Sequence, residues 1–152
     1  MRPPSELNLL FPEFDYKLTQ KDGKIFIYDV IAKKYRALTP EEWVRQHCLN
    51  YLTQHLNYPA ALIQIERGHA IDTLQRRTDI QVFDTHGNVH ILIECKAPHV
   101  ALTAQTLQQI SQYQKKNEAR IIIITNGLAH HIIEIDIENS STNQLTEFPT
   151  YS

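Results

Sequence analysis

The sequence has few cysteines and no long apolar run, and these two absences bound the class of protein. Two cysteines among 152 residues, with no C-x-x-C spacing, do not make a disulfide framework. No apolar stretch approaches the roughly 20 residues of a membrane-spanning helix, and the polar start MRPPSELNLL is not typical of a signal peptide. We therefore expect a cytoplasmic protein that does not enter a membrane.

The chain also lacks a strong excess of charge of either sign. Its formal net charge is −2 at pH 7, so the overall charge gives no indication of nucleic-acid binding. Short basic clusters occur at residues 33–36, 76–77 and 115–116, and each taken alone is more often a solvated surface than a binding site. Because acidic metal ligands would themselves lower the net charge, a value of −2 does not exclude an enzyme that acts on phosphates.

The length of 152 residues is enough for one domain with its own hydrophobic core. Thr39 followed by Pro40 predicts a helix start, with a residue that caps the first turn and a proline at the first helical position. An apolar stripe at helical spacing follows, and Asn57 and Pro59 end it. Glu42 comes three residues after Thr39, the spacing of a capping box, so this acid has a structural role available.

Alternating and apolar stretches predict strands on both sides of this helix. Residues 14–30 alternate about the turn sequence KDG, which predicts an N-terminal β-hairpin. Residues 61–66 predict a strand. Residues 120–125 form an uninterrupted apolar run typical of a strand buried on both faces, and a half-exposed strand follows it. The polar tail from Asn139 is predicted to be frayed.

Residues 76–98 predict a second hairpin that carries charged side chains. Successive strand residues face opposite sides, so Glu94 and Lys96 share a face while Cys95 points away. Folding about the turn at residues 84–88 brings Asp79 roughly opposite residues 93–94. The cluster is either a surface ion pair beside an unrelated acid, worth at most about 1 kcal/mol, or a functional site, and these residues alone do not decide between them.

A helix is predicted over residues 101–116, and one of its faces is unusual. Leu102, Thr106, Gln109 and Tyr113 share that face, where a purely apolar stripe would be expected. Buried polar groups need partners, so we expect this face to meet something polar. The predicted elements, taken in order from Thr39, are αβββαβ.

These elements and motifs together resemble a known enzyme superfamily. Asp79 followed by ECK at 94–96 resembles the PD-(D/E)XK nuclease signature, and Gln109 with Tyr113 matches the Q-x-x-x-Y motif of one of its branches. More narrowly, TPEEWVRQ, TDIQVFD, LIECKAP, Q-x-x-x-Y and TNG in this order resemble the N-terminal nuclease region of type I restriction enzyme R subunits. The resemblance runs from about residue 34 to residue 127.

The resemblance implies a fold and a division of the chain. The fold would be α/β, with a restriction-endonuclease-like αβββαβ core whose mixed central sheet is flanked by helices. That core would occupy residues 39–138, after an arm and β-hairpin at residues 1–38. Residues 139–152 would form the polar C-terminal tail.

It also implies a metal-dependent DNA endonuclease. Asp79 and Glu94, helped by the backbone carbonyl of Cys95, would hold Mg²⁺, with Mn²⁺ as a substitute. Lys96 would orient or deprotonate the attacking water, and deprotonation would require a pKa well below its usual value of about 10.4.

Four further residues are implied with supporting roles. Gln109 and Tyr113 would steady the site or contact the phosphate backbone. Glu42, and with less weight Glu66, would complete the metal shell. The implied partners are DNA and either a second copy of the chain or a separate motor or specificity subunit, and no membrane.

Other constellations in the sequence are weaker, and one expected motif is missing. His130 and His131 are adjacent on a predicted strand and point apart, which disfavours a zinc site. Four glycines without a G-x-x-x-x-G-K-[ST] loop exclude an ATPase motor in these 152 residues. Thr78 stands where the signature has proline. The alternative function is a catalytically silent nucleic-acid- or partner-binding module on the same fold, and a plain structural subunit is a third.

Overall fold

The small N-terminal sheet has three antiparallel strands in sequence order. A computed structural model describes residues 8–65, 79–106, 108 and 119–152 of the chain. The strands are β1 (Leu18–Lys21), β2 (Lys24–Asp29) and β3 (Lys34–Ala37). The prediction of a two-stranded hairpin is therefore incomplete, because β3 is short, basic and mostly exposed and carries little apolar alternation.

Helix α1 (Pro40–Asn50) begins as predicted. The hydroxyl oxygen of Thr39 accepts a hydrogen bond from the backbone N–H of Glu42 at 3.0 Å, and proline occupies the first turn. A π-helical turn (Tyr51–His55) continues the helix. It ends before Asn57, whose φ of 66° lies in the left-handed region that a helix cannot continue through. No helix in the described part of the chain is long and apolar enough to span a membrane.

The large sheet is mixed and, in the part of the chain that the structure describes, has six strands in sequence order. The parallel pair is β6 with β7, and every other neighbouring pair is antiparallel. A 3₁₀ turn (Ala60–Leu62) leads into the first strand. The strands are β4 (Ile63–Ile65), β5 (Ile80–Phe83), β6 (Val89–Cys95), β7 (Ile121–Thr125), β8 (His130–Asp136) and β9 (Ser141–Leu145).

The core lies between α1 and one face of this sheet. Val44, Cys48 and Leu49 of the helix pack in one cluster with alternate residues of β6 and β7, such as Ile93. Ile122, with its neighbour Ile124, packs in a separate cluster with Leu102. Strand β7 is thus buried on both faces, as its unbroken apolar run predicts. The chain is α/β with a mixed sheet.

The second flanking helix is described only at its start, where residues 104–106 and 108 are helical. Residues 109–118 lie outside the described part of the chain. The complete restriction-endonuclease-like core, and the boundaries at residues 38 and 138, stay predictions.

The prediction of a frayed C-terminal tail is wrong. Strand β9 pairs with β8 through a regular antiparallel ladder, because a polar segment is well suited to the edge of a sheet whose outer side meets water. Beyond it, Phe148 is buried in the core. The hydroxyl of Tyr58 donates to the carbonyl of Pro149 at 2.7 Å, and the N–H of Tyr151 donates to the carbonyl of Leu56 at 2.9 Å.

Candidate active site

The register of the β5–β6 hairpin brings two acids together. Ile80 pairs with Ile93, so the preceding Asp79 comes opposite the following Glu94. One carboxylate oxygen of Asp79, Oδ2, accepts a hydrogen bond from the backbone N–H of Cys95 at 2.7 Å. The predicted convergence of these residues at the end of the hairpin is confirmed.

Glu94 and Lys96 lie on the same side of β6, as the alternation predicts. The ammonium Nζ of Lys96 lies 3.0 Å from Oε1 of Glu94, and the two side chains are 31% and 17% exposed. Cys95 between them is buried, and a side-chain hydrogen bond with Cys48 together with burial raises the pKa of its thiol. A raised pKa argues against a nucleophilic thiolate.

Arg45 also belongs to this cluster, although no motif in the sequence predicts it. Its Nη2 donates to Oδ1 of Asp79 at 2.7 Å, and its Nη1 donates to Oε1 of Glu42. A third carboxylate oxygen, Oε1 of Glu41, lies 3.3 Å from Nη2. The guanidinium therefore joins the first turns of α1 to the start of β5, and only 14% of its side chain is exposed.

The local sequence gave a misleading signal for Arg45. Glu41 and Glu42 precede it by four and three residues, a spacing that usually indicates ion pairs on the surface of a helix. The contact with Asp79 spans 34 residues of the chain, so no local pattern contains it.

The two adjacent acids of α1 have different surroundings. Glu42 is 6% exposed, and its carboxylate accepts hydrogen bonds from Arg45 and from the amide of Gln46, the latter at 2.9 Å. These contacts hold Glu42 within its own helix. The structure thus gives Glu42, the predicted metal ligand, two protein donors for its two oxygens.

The pKa of Glu41 instead depends on the acids of the hairpin. Burial is the largest cause of the raised pKa of Glu41, and the charge of Asp79 is the next; Glu94 also raises this pKa, while Arg45 and Lys96 lower it. Glu41 thus lies in the electrostatic field of all four. Glu42 and, with less weight, Glu66 are the predicted further ligands, whereas Glu41 is the acid of α1 whose pKa responds to Asp79 and Glu94.

Negative charge exceeds positive charge in this cluster. Four carboxylates, those of Glu41, Glu42, Asp79 and Glu94, surround the cations of Arg45 and Lys96, which leaves two negative charges among the described residues. Uncompensated charge near a protein interior is costly unless it is paired or binds a cation. In addition, the buried Nε of Arg45 has no hydrogen-bond partner.

The pKa of Lys96 bears on its possible roles. Burial lowers the pKa of Lys96, but the hydrogen bond and charge of Glu94, with the charges of Glu41 and Asp79, raise it overall. Lys96 therefore carries its proton at neutral pH in this arrangement. The geometry favours an ammonium that donates hydrogen bonds over a lysine that removes a proton.

The remaining predicted site residues, Gln109, Tyr113 and Glu66, lie outside the described part of the chain, and their roles stay predictions. Within the described part, no three His, Cys, Asp or Glu side chains form a group that could hold a metal ion by themselves. A metal at Asp79 and Glu94 would thus need the carbonyl of Cys95 and water as further ligands. Mg²⁺ commonly binds in this way, through one or two carboxylates with several waters retained.

Comparison with known proteins places these residues in a family. The family model of the type I restriction enzyme R protein N terminus matches residues 40–149, more than two thirds of the chain. It includes α1, the β5–β6 hairpin and every charged residue of the cluster. A search of the curated proteins gives no match.

A solved structure also shows similarity. It is a fragment of a protein assigned as the HsdR subunit of a type I restriction enzyme from Vibrio vulnificus YJ016, with 24% sequence identity and a TM-score of 0.37. The match covers 58% of this chain and 16% of the other, so this chain spans a minor part of the length of that protein.

Proposed function

The chain belongs to the family of type I restriction enzyme R protein N termini, and we propose that it is a Mg²⁺-dependent deoxyribonuclease of the PD-(D/E)XK type. The observation that carries this proposal is the cluster at the end of the β5–β6 hairpin. Asp79, Glu94 and Lys96 meet there with Arg45 and Glu41 of α1, and the cluster has two more negative charges than positive ones.

The donor atoms fit a hard divalent cation. Asp79 and Glu94 with the carbonyl of Cys95 offer only oxygen, the ligand type of Mg²⁺ and Mn²⁺, and a charge of +2 would balance the cluster. Each oxygen of Asp79 has one donor in the structure and retains a second lone pair. When bound, Mg²⁺ supplies a Lewis acid that stabilises charge on the phosphate and lowers the pKa of a water molecule.

Lys96 and Arg45 have separate roles in this proposal. The ammonium of Lys96 is held beside Glu94 and carries its proton, so it donates hydrogen bonds that orient a water molecule or a phosphate oxygen. Arg45 is a positioning residue: its buried guanidinium fixes the carboxylate of Asp79 against Cys95 before any ligand arrives. Pre-organised charges of this kind need no rearrangement when negative charge develops on the substrate.

The proposed partners follow from the family and from the motifs that these residues contain. DNA is the substrate. Translocation and target recognition are assigned to other polypeptide segments or subunits, because the 152 residues contain no phosphate-binding loop of an ATPase. Cleavage of both strands would use two copies of the chain or two successive nicks.

A binding module without catalysis is the second candidate, and one observation favours it. Asp79 and Glu42 both contact Arg45, and Glu94 contacts Lys96, as in a network that is purely structural. Such a module would bind DNA or a partner protein and would not respond to Mg²⁺.

Incubation of the purified chain with circular, linear and single-stranded DNA, in Mg²⁺, Mn²⁺ or EDTA, tests the proposal. Lys96→Ala should reduce metal-dependent cleavage by at least about 100-fold, the usual scale for loss of a catalytic hydrogen-bonding or proton-transfer group. Lys34→Ala, on β3 and outside the cluster, is the matched control and should cleave like the wild type. Absence of cleavage together with absence of Mg²⁺ binding by calorimetry would leave the binding module as the better explanation.

A further inference from the structure

One face of the small N-terminal sheet combines lysines with aromatic rings. Residues paired across antiparallel strands lie on the same face. Lys24 and Tyr28 are an even number of residues apart on β2, so they share a face with their partners Lys21 and Tyr35. The ammonium of Lys17 lies over the ring of Tyr28. We call the resulting surface the outer face; its members are Lys17, Lys21, Lys24, Phe26, Tyr28 and Tyr35.

The opposite face of the same sheet looks inward. Ile27 and Asp29 alternate with the outer residues along β2, and both are fully buried. Arg36, which pairs in register with Ile27, donates to Asp29 on that inner side. The outer face therefore carries aromatic side chains that are not needed to fill this core.

Tyr35 is the exposed ring of the outer face, and Tyr28 packs against it. The centroids of Tyr28 and Tyr35 are 5.3 Å apart at an interplanar angle of 69°, and Tyr35 is 45% exposed. The ammonium of Lys17 lies 5.7 Å from the centroid of Tyr28. The exposed ring of Tyr35 offers a stacking surface for a base, and the lysines of the outer face offer positive charge for phosphates.

The charges of the outer face lack an internal counterpart. Lys21 and Lys24 are direct cross-strand partners, a like-charge arrangement that destabilises a sheet. No Asp or Glu lies on this face of the three strands, since Asp29 points inward and Asp22 belongs to the turn. An anionic ligand would relieve the repulsion between the two lysines.

The small sheet is also attached to the helix of the candidate active site. Tyr16, just before β1, packs edge-to-face on Trp43 with 5.0 Å between ring centroids. Trp43 belongs to α1, the helix that contributes Glu41 and Arg45 to the charge cluster. The small sheet therefore packs, through Tyr16 and Trp43, on the same helix that contributes residues to the charge cluster.

We propose that the outer face binds single-stranded nucleic acid, with a base stacked on the exposed ring of Tyr35 and phosphates on Lys17, Lys21 and Lys24. Single strands fit better than duplexes because their bases expose the faces that a duplex stacks internally. The role of the bound strand as a substrate rests on the proposed nuclease function, whereas the binding itself does not.

Fluorescence anisotropy of a labelled 20-nucleotide thymidine strand, titrated with the whole chain in EDTA, tests this inference without cleavage. Tyr35→Ala should weaken binding roughly tenfold, since loss of a stacking aromatic weakens binding by this order. Tyr35→Phe keeps the ring and should bind like the wild type. Equal affinity for a duplex of the same length, or no effect of Tyr35→Ala, would overturn the assignment of stacking.

The salt dependence of the affinity tests the lysines. Lys24→Ala should reduce the slope of log affinity against log salt by about 0.7, the value for one phosphate contact of a single strand. Lys34→Ala removes the same charge from the other side of the sheet, where Lys34 pairs in register with Asp29, and should leave the slope unchanged. Equal slopes for both variants would exclude phosphate contacts by the outer face.

Two further measurements separate this inference from the proposed function. Lys96→Ala should bind the strand normally in EDTA. Strand binding by the wild type, without cleavage of any DNA in Mg²⁺ or Mn²⁺, would support the outer face and contradict the nuclease. Metal-dependent cleavage by a wild-type chain that does not bind the strand would support the nuclease and contradict the outer face as a binding surface. Sedimentation of the wild type and of Tyr35→Ala completes the test: a dimer that the substitution dissociates would assign the outer face to self-association and overturn the inference.

Discussion

Two aspartates of this protein are held in similar ways in different sheets. Asp29, at the end of β2, and Asp79, just before β5, each pair with an arginine and accept hydrogen bonds from backbone N–H groups. Their surroundings differ in charge balance and in access to solvent. We interpret this difference as that between an ion pair that maintains the fold and one that belongs to the proposed site.

The Asp29 pair is closed. Oδ1 accepts from the N–H groups of Ile31 and Ala32 at 2.9 and 3.0 Å, and Oδ2 accepts from Nε of Arg36 at 2.8 Å. The carboxylate is fully buried, and one negative charge meets one positive charge. Its contacts fix the turn between β2 and β3, and no charge is left over for a ligand.

The Asp79 pair is open. Arg45 is shared among Asp79, Glu41 and Glu42, so its single positive charge meets three negative ones. The side chain of Asp79 is 17% exposed, whereas that of Asp29 is completely buried. An excess of acid with access to solvent fits the proposed metal site, whereas the Asp29 pair has no such excess.

Replacement of the closed aspartate should have the largest effect on stability. We expect Asp29→Ala to lower the free energy of unfolding by about 3–5 kcal/mol, because Arg36 and two backbone N–H groups would lose a buried partner. Urea unfolding in EDTA measures the change. Asp79→Ala should lower the free energy of unfolding less, by about 1–3 kcal/mol, because the backbone N–H of Cys95 loses its acceptor while Arg45 keeps two carboxylates. A loss at Asp79 as large as that at Asp29 would make both pairs structural.

Addition of Mg²⁺ should stabilise the protein through the Asp79 region and not through the Asp29 region. The expected gain in the free energy of unfolding is smaller than the loss expected for Asp29→Ala. At a concentration 100 times the dissociation constant, one bound ion stabilises the native state by about 2.7 kcal/mol. We expect a rise in the midpoint of thermal unfolding for the wild type and for Arg36→Lys, which retains a charge beside Asp29. Asp79→Asn should remove the rise. An equal rise in Asp79→Asn would place the ion elsewhere.

Several features of the fold were predictable because their causes are local. Thr39 caps α1 through a hydrogen bond three residues away, and the apolar run of β7 reports burial on both faces. Folding about the turn between β5 and β6 predicts only that Asp79 lies near residues 93–94. The pairing with Glu94 itself depends on an irregularity between Val82 and Phe83 that shifts the register by one residue.

Other features were not predictable because their causes are distant in sequence. The sequence around Arg45 predicts only ion pairs with Glu41 and Glu42 in the same helix. The contact with Asp79 arises from the fold. The polar β9 has no apolar signal of its own, and its pairing depends on the free edge of β8. The different surroundings of Glu41 and Glu42 depend on how α1 packs against the hairpin, which the local sequence does not specify.

The two neighbouring glutamates offer a matched test at the scale of one side chain. Glu42→Gln should lower the free energy of unfolding by about 1–3 kcal/mol, because a buried charge-assisted contact with Arg45 is lost, and should retain most of the response to Mg²⁺. Glu41→Gln should leave stability in EDTA nearly unchanged and weaken Mg²⁺ binding. Calorimetric titration of both variants measures the affinity, and the opposite ranking would restore Glu42 as the ligand.

The smallest expected effect is a pH dependence that belongs to the open cluster. The pKa of Glu41 is raised in the folded chain by burial and by the charge of Asp79, so the native state holds this proton to a higher pH than the unfolded state does. The contribution of Glu41 is present below the unfolded pKa of about 4.3 and is lost as the pH rises through its folded value, since a state that binds more protons is favoured at low pH. In EDTA, the free energy of unfolding of the wild type should therefore fall relative to that of Glu41→Gln as the pH rises through this interval, and urea unfolding at several pH values measures the difference. Mg²⁺ should reduce that difference, because a cation in the cluster offsets the repulsion between Glu41 and Asp79. A difference that is independent of Mg²⁺ would mean that the excess negative charge around Arg45 is not a cation site, and the contrast with Asp29 would lose its functional meaning.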